Sequence, residues 1–210
     1  MKDKKQLQAL LMKSRELFMK NGVKSLTMDE IAKEMGMSKK TIYQYVENKS
    51  DLIRLTLEDF LEEERKLLHG ILKNSTNSVD EMIRMIDYFL QVVREFKGTT
   101  LHELEKHYPQ TWKVYNEYRF NFMLGLIKAN LESGVKEGFY REHMDIDIIS
   151  KIYILANDIL LNQDLFPTDK YPYLNLYREF LGYHLRGIAS AKGLKYLNDH
   201  NLFKCGTTLN

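Results

Sequence analysis

Residues 17–57, LFMKNGVKSLTMDEIAKEMGMSKKTIYQYVENKSDLIRLTL, set three helix starts within 41 positions. Upstream, Leu7, Leu10, Leu11, Leu17 and Phe18 share one helical face, and the segment runs out at Asn21 and Gly22, a natural C-terminal cap. Thr27, followed three residues later by Glu30, has the spacing of a capping box and opens a second helix. Met28, Ile31, Ala32 and Met35 give that helix its apolar stripe, and Gly36 supplies the backbone freedom for a sharp stop barely two turns on. Ser38 caps a predicted third helix running to about Val46, with Ile42 and Val46 inward and Lys39, Lys40, Tyr43 and Gln44 outward; Asn48 caps a fourth.

Working outward, the apolar spacing from Lys49 through Leu52, Ile53, Leu57 and Phe60 runs on into the charged stretch 62–66, so the fourth helix is a connecting rod leaving a small domain. After a polar break at Asn74–Ser78, a stripe of Met82, Met85, Ile86, Phe89, Val93 and Phe96 ends at Gly98. Residues 110–135, 145–164 and 172–190 read as long helices, and 193–203 as a short terminal one. Three prolines and 11 scattered glycines in 210 residues are too little punctuation for a sandwich or barrel. The expected fold is all-α: an N-terminal three-helix helix-turn-helix domain, residues 1–54, joined by the connecting helix to a larger helical bundle, residues 55–210.

Charge divides along the same boundary. Residues 1–54 hold 12 Lys and Arg against 7 Asp and Glu, whereas the remainder holds 19 against 22; 21 of the 24 aromatic side chains fall in the second part. A polyanion is drawn to the front. Thr27 and Lys49, each at a helix start, can meet phosphates, while Lys39, Lys40 and Gln44 can reach base edges, lysine suiting guanine and glutamine suiting adenine. Thr27 and Ser38 act as caps in either case.

The same run closely resembles the N-terminal domain of TetR-family transcriptional regulators. Phe18, Gly22, Thr27, Ile31, Ala32, Gly36, Ser38, Thr41, Tyr43, Tyr45, Lys49 and Leu52 all stand where that family's pattern wants them; Lys40, where a small residue is frequent, departs from it. The resemblance implies that the DNA-binding set is Thr27, Ser38, Lys39, Lys40, Thr41, Tyr43, Gln44, Tyr45 and Lys49, with Tyr43 and Tyr45 matching the family's phosphate-binding tyrosines and Thr41 meeting backbone or a thymine methyl. It also implies a ligand pocket in the C-terminal domain and dimerisation through the last two long helices.

In the second part, Phe89, Tyr108, Trp112, Tyr115, Tyr118, Phe122 and Tyr153 are candidates to line a cavity for a small apolar or amphipathic effector, because buried Tyr and Trp keep a polar atom that wants a partner. A helix-turn-helix this small needs two copies on half-sites about 34 Å apart or more, so a homodimer on an inverted-repeat operator in double-stranded DNA is expected. Ile152, Ile159, Tyr177, Leu181, Leu185 and Ile188 are the candidate dimer residues.

Other motifs carry less. His102, Glu103 and His107 read HELEKH, one residue too long for the zinc-protease spacing, so the two histidines do not share a helical face and no metal is expected. No phosphate loop or nucleophile–base cluster appears, so neither catalysis nor a cofactor is expected. Asn74–Thr76 reads as a polar loop. The single cysteine, Cys205, fits a reducing cytoplasm, and no run of about 18 apolar residues is present to span a bilayer. The functional expectation is a dimeric DNA-binding regulator of the TetR type, a repressor released by a small molecule. The alternative is an architectural or protein-tethered DNA binder without such a ligand.

Overall fold

The computed structural model describes residues 2–95, 99–162, 164–167 and 169–199. Every named element among them is helical: α1 (Lys2–Asn21), α2 (Met28–Met35), α3 (Lys39–Ile42), α4 (Lys49–Asn74), α5 (Ser78–Glu95), α6 (Thr99–His107), α7 (Pro109–Glu117), a π-helical segment (Tyr118–Met123), α8 (Leu124–Lys136), α9 (Ile146–Leu160), α10 (Tyr173–Ile188) and α11 (Ala191–Asp199). The all-α architecture read from the sequence is therefore the observed one. Phe96, Gly98 and Cys205 lie outside the described residues.

Most helix ends follow their local chemistry. Gly22 closes α1 at φ 84°, a left-handed conformation that favours glycine, with its N–H donating to the Phe18 carbonyl at 2.9 Å. Asn48, Asn77 and Asp145 cap α4, α5 and α9 by accepting from Asp51 N (3.0 Å), Asp80 N (2.9 Å) and Ile148 N (3.0 Å). Two expectations need correction. The regular third helix ends at Ile42, because Gln44 N and Tyr45 N turn to acceptors three residues back, Thr41 O and Ile42 O, and tighten the chain there before Val46 N returns to Ile42 O, four back. Residues 110–135 are not one regular helix either: the π-helical segment interrupts them, and in it the consecutive residues Tyr118 and Arg119 are both buried.

The chain forms two compact units, residues 1–67 with 95–118, and residues 68–94 with 119–210. Compactness thus groups α6 and α7 with the front of the chain, although composition changes at residue 54. In the first unit Leu10, Phe18, Ile31, Ile42, Val46 and Leu52 are core, and Leu104 of α6 joins them. In the second unit Met82, Ile86, Ile127, Leu131, Tyr177, Leu181 and Leu185 form the centre. Tyr140 is buried there, its hydroxyl 3.2 Å from Ser78 O and 3.1 Å from Asn130 Oδ1, while Asn130 Nδ2 donates to Ser78 O at 2.8 Å. Desolvation holds the Tyr140 phenol above its ordinary pKa, so the neutral donor is the form that packs. The ring passes so close to Gly134 that a Cβ there would stand 2.0 Å from Tyr140 Cδ2.

Candidate nucleic-acid interface

The geometry of the first unit builds an outward polar edge on α3. Thr27 and Glu30 form the capping box: Thr27 N donates to Glu30 Oε2 at 2.7 Å, and Glu30 N donates to Thr27 Oγ1 at 3.2 Å. The two hydrogen bonds from Thr27, backbone and hydroxyl, hold the Glu30 carboxyl below its usual pKa, so it remains ionised. Gly36, at φ 62°, then turns the chain sharply, donating to Lys33 O while Met37 N returns to Ala32 O. Ser38 Oγ accepts from Thr41 N at 3.1 Å and lies 2.8 Å from Thr41 Oγ1. This fixes the first turn of α3 immediately after the bend.

With Ile42 and Val46 inward, Lys39, Lys40, Tyr43 and Gln44 are exposed together. Lys39 is ion-paired in the free protein with Asp29 of α2, at 2.9 Å, and that hydrogen bond raises its pKa. Tyr45 is half-buried, and its hydroxyl donates to Gln6 Oε1 of α1 at 3.0 Å. Lys49 is also half-buried: its Nζ donates to Lys24 O at 3.2 Å. Burial lowers the Lys49 pKa, opposed by the negative charges of Glu103 and Glu30. Thr27 is thus bonded to Glu30 and Lys49 to the Lys24 carbonyl, while Lys39, Lys40, Tyr43 and Gln44 face solvent.

Asp29, Gln6 and Glu103 were not singled out as interface residues by sequence reasoning. The i, i+3 spacing of the capping box makes Glu30 visible, but Asp29 and Gln6 act across 10 and 39 residues respectively, a separation at which helical periodicity carries no signal. Glu103, in the HELEKH stretch, accepts the Lys24 backbone N–H at 2.8 Å. Among the described residues no group of three or more His, Cys, Asp or Glu is placed to hold a metal.

The aromatic candidates separate. Tyr108 and Trp112 pack on the core of the first unit, Tyr115 lies 5.3 Å from Trp112 between ring centroids, and the Tyr118 ring sits under the Arg65 guanidinium at 4.9 Å. Phe89, Phe122 and Tyr153 pack on the core of the second, where Phe89 meets Tyr177 edge-on at 4.8 Å and Tyr153 meets His184 at 4.7 Å. His184 is buried with Nε2 unpartnered, and desolvation lowers its pKa to about 4. The dimer candidates separate too. Ile152 and Ile159 are 53% and 57% exposed, whereas Tyr177, Leu181, Leu185 and Ile188 are between 1% and 3% exposed, inside their own unit's core. Ile148 and Leu155 complete an exposed stripe with Ile152 and Ile159 along α9, and Tyr183 of α10 is 79% exposed.

Among the described residues no helix is long and apolar enough to cross a membrane.

Residues 10–55 match the sequence model for bacterial regulatory proteins of the tetR family. The chain is 28% identical over 149 residues to YdeS, an HTH-type transcriptional regulator of Bacillus subtilis (strain 168), spanning 69% of this chain and 73% of that one. A putative transcriptional regulator from Saccharomonospora viridis, solved in complex with choline, superposes with a TM-score of 0.74 at 17% identity, covering 89% of this chain and 99% of that one. The regulator FadR from Bacillus subtilis, solved in complex with stearoyl-CoA, gives 0.64 at 18% identity over 86% and 98%. At such identities the structural likeness is one of fold. Residues 10–55 thus match the helix-turn-helix DNA-binding domain of the tetR family, in a chain whose overall fold is the one seen in TetR-family regulators.

Proposed function

We propose that the protein is a homodimeric repressor that binds an inverted-repeat operator through residues 1–54 and is released by a small apolar or amphipathic ligand held in residues 55–210. The observation that carries the reading is the outward edge of Lys39, Lys40, Tyr43 and Gln44 on a segment whose inward side, Ile42 and Val46, is core. Lysines and a glutamine at that edge can donate to base edges in a major groove. Thr27, Ser38, Thr41 and Lys49 flank it and are assigned to the phosphates, whereas the Tyr45 hydroxyl is engaged by Gln6 in the free protein. Action is by binding rather than catalysis, in the cytoplasm where the operator lies.

Dimerisation is assigned to the α9 stripe Ile148, Ile152, Leu155 and Ile159 with Tyr183 of α10. Their spacing of four, three and four residues keeps the isoleucines and leucine on one face, and an apolar face left in water favours a partner. The ligand reading is supported by the unpartnered His184 Nε2 among Tyr153 and Phe180, and by two structural neighbours solved with stearoyl-CoA and with choline. A ligand that prefers one arrangement of the larger domain shifts the population of DNA-competent dimers only by its differential affinity. Gel shifts over genomic fragments at modest salt test the reading. A saturable, sequence-specific complex that small apolar or amphipathic compounds dissolve is expected; absence of any such complex overturns it.

A further inference from the structure

Tyr45 matches a phosphate-binding tyrosine, yet its hydroxyl proton is donated internally, to Gln6 Oε1 at 3.0 Å. A phosphate oxygen needs a donor, and while Tyr45 is held in this way it offers none at that flank of the recognition segment. The same hydrogen bond shows where one comes from. Gln6 belongs to the start of α1, and Leu7 packs against the same core as Tyr45, so the first turns of α1 are fastened beside the segment that follows α3. The residues just before Gln6 are Lys4 and Lys5, both exposed. Neither has an ion-pair partner among the described residues, in contrast to Lys13, paired with Glu16, and Lys39, paired with Asp29. The opening run Lys2–Lys5 has three lysines against the single Asp3.

We propose that Lys4 and Lys5 bind DNA backbone phosphates flanking the bases read from α3, so that each protomer's footprint extends beyond its helix-turn-helix. The proposal rests on the DNA-binding reading above and adds to it a second, sequence-independent set of contacts. Flexible ammonium side chains are suited to such binding, since they meet phosphate as point charges, fix register and carry no base preference. The Tyr45–Gln6 hydrogen bond then acts as the strut that sets these charges at a constant distance from the recognition edge.

The test uses the full chain and duplexes that the wild-type protein selects from a random-sequence pool, with affinity measured against KCl concentration. For Lys4→Ala with Lys5→Ala, the salt slope is expected to flatten by about 0.9 for each phosphate no longer neutralised, and affinity near 0.1 M salt to fall about eightfold per phosphate, with base preference unchanged. Lys195→Ala, an exposed lysine on α11, is the control and leaves the slope as it is. Lys4→Arg with Lys5→Arg retains the charge and is expected to retain the slope. An alanine variant with the wild-type slope, or an arginine variant as impaired as the alanine one, overturns the proposal while leaving the DNA-binding reading in place. Failure of the wild-type protein to select any duplex overturns both.

Discussion

The carboxylate of Glu103, on α6, accepts the backbone N–H of Lys24 in the link between α1 and α2 at 2.8 Å. Both of its oxygens stand 3.0 Å from the place a Cβ on Gly22 would take. Gly22 is also at φ 84°, so two separate constraints exclude a side chain there. Gly22→Ala is expected to destabilise the first unit by about 1–3 kcal/mol, measured as a lowered urea midpoint. Adding Glu103→Ala should restore only the part due to crowding, since the backbone strain remains. Full restoration by the double variant, or no loss in the single one, contradicts this account.

Gly134 is held to a smaller tolerance. A Cβ there would stand 2.0 Å from the Tyr140 ring, which is enclosed by core and tied to Ser78 O and Asn130. Gly134→Ala should therefore cost about 3 kcal/mol or more, because the ring has nowhere to retreat. Gly125→Ala on the same helix, with nothing within 4 Å of its Cβ, should be neutral or slightly stabilising. Equal melting temperatures for the two variants would falsify the packing argument.

The exposed and buried apolar residues of α9 and α10 should behave oppositely. Ile152→Asp with Ile159→Asp is expected to weaken self-association by about 4 kcal/mol, on the order of a thousandfold, while helicity is kept. Leu181→Asp, at a position 2% exposed, should unfold the second unit instead, because it buries an unpaired charge. Light scattering after size exclusion, together with circular dichroism, separates the outcomes. A dimer that tolerates both aspartates rules out this face.

Discrimination and affinity should divide between Gln44 and Lys49. Gln44→Ala is expected to relax base preference at one position by about 1–3 kcal/mol while leaving the salt dependence alone. Lys49→Ala should weaken binding to every sequence and flatten the salt slope by about 0.9, even though its ammonium rests on Lys24 O in the free protein. Matching losses of discrimination from the two variants would reverse these roles.

Stability should depend on pH through His184. Its folded pKa, lowered by desolvation to about 4, lies below the ordinary imidazole value of about 6.5. Between those values the unfolded chain binds a proton that the folded chain refuses. The contribution is thus complete above about pH 6.5 and is lost as pH falls towards 4, on the order of 3 kcal/mol in all. His184→Leu should remove this component, seen as a smaller difference between urea midpoints at pH 7 and pH 5. An unchanged difference would place the titration elsewhere.

How much was legible depended on the range of the interaction. The capping box at Thr27 and Glu30, the turn at Gly36 and the Ser38 cap are all completed within four residues, so residue spacing alone located α2, the bend and the start of α3. Periodicity also placed α4, α5, α9 and α10 near their observed positions. It could not separate the two sides of an apolar helix. Ile152 and Leu181 look equivalent in sequence, yet one is 53% exposed and the other 2%. The π-helical segment was invisible too: Arg119 inside it is 5% exposed because its guanidinium reaches Ile154 O and Asp158, 35 and 39 residues further on.

The linear order of residues by itself determined that the chain is helical, that its front carries a helix-turn-helix with a basic, polar outer edge, and which residues form that edge. Each of these follows from hydrogen bonds and side-chain periodicities spanning a turn or two. Only the tertiary structure decided that the aromatic residues divide between two cores, that α9 rather than the apolar stripe of α10 faces outward, and that Lys39, Tyr45 and the Lys24 backbone are held by Asp29, Gln6 and Glu103. Those outcomes depend on which helix faces meet, a property of the packed chain that no local pattern encodes.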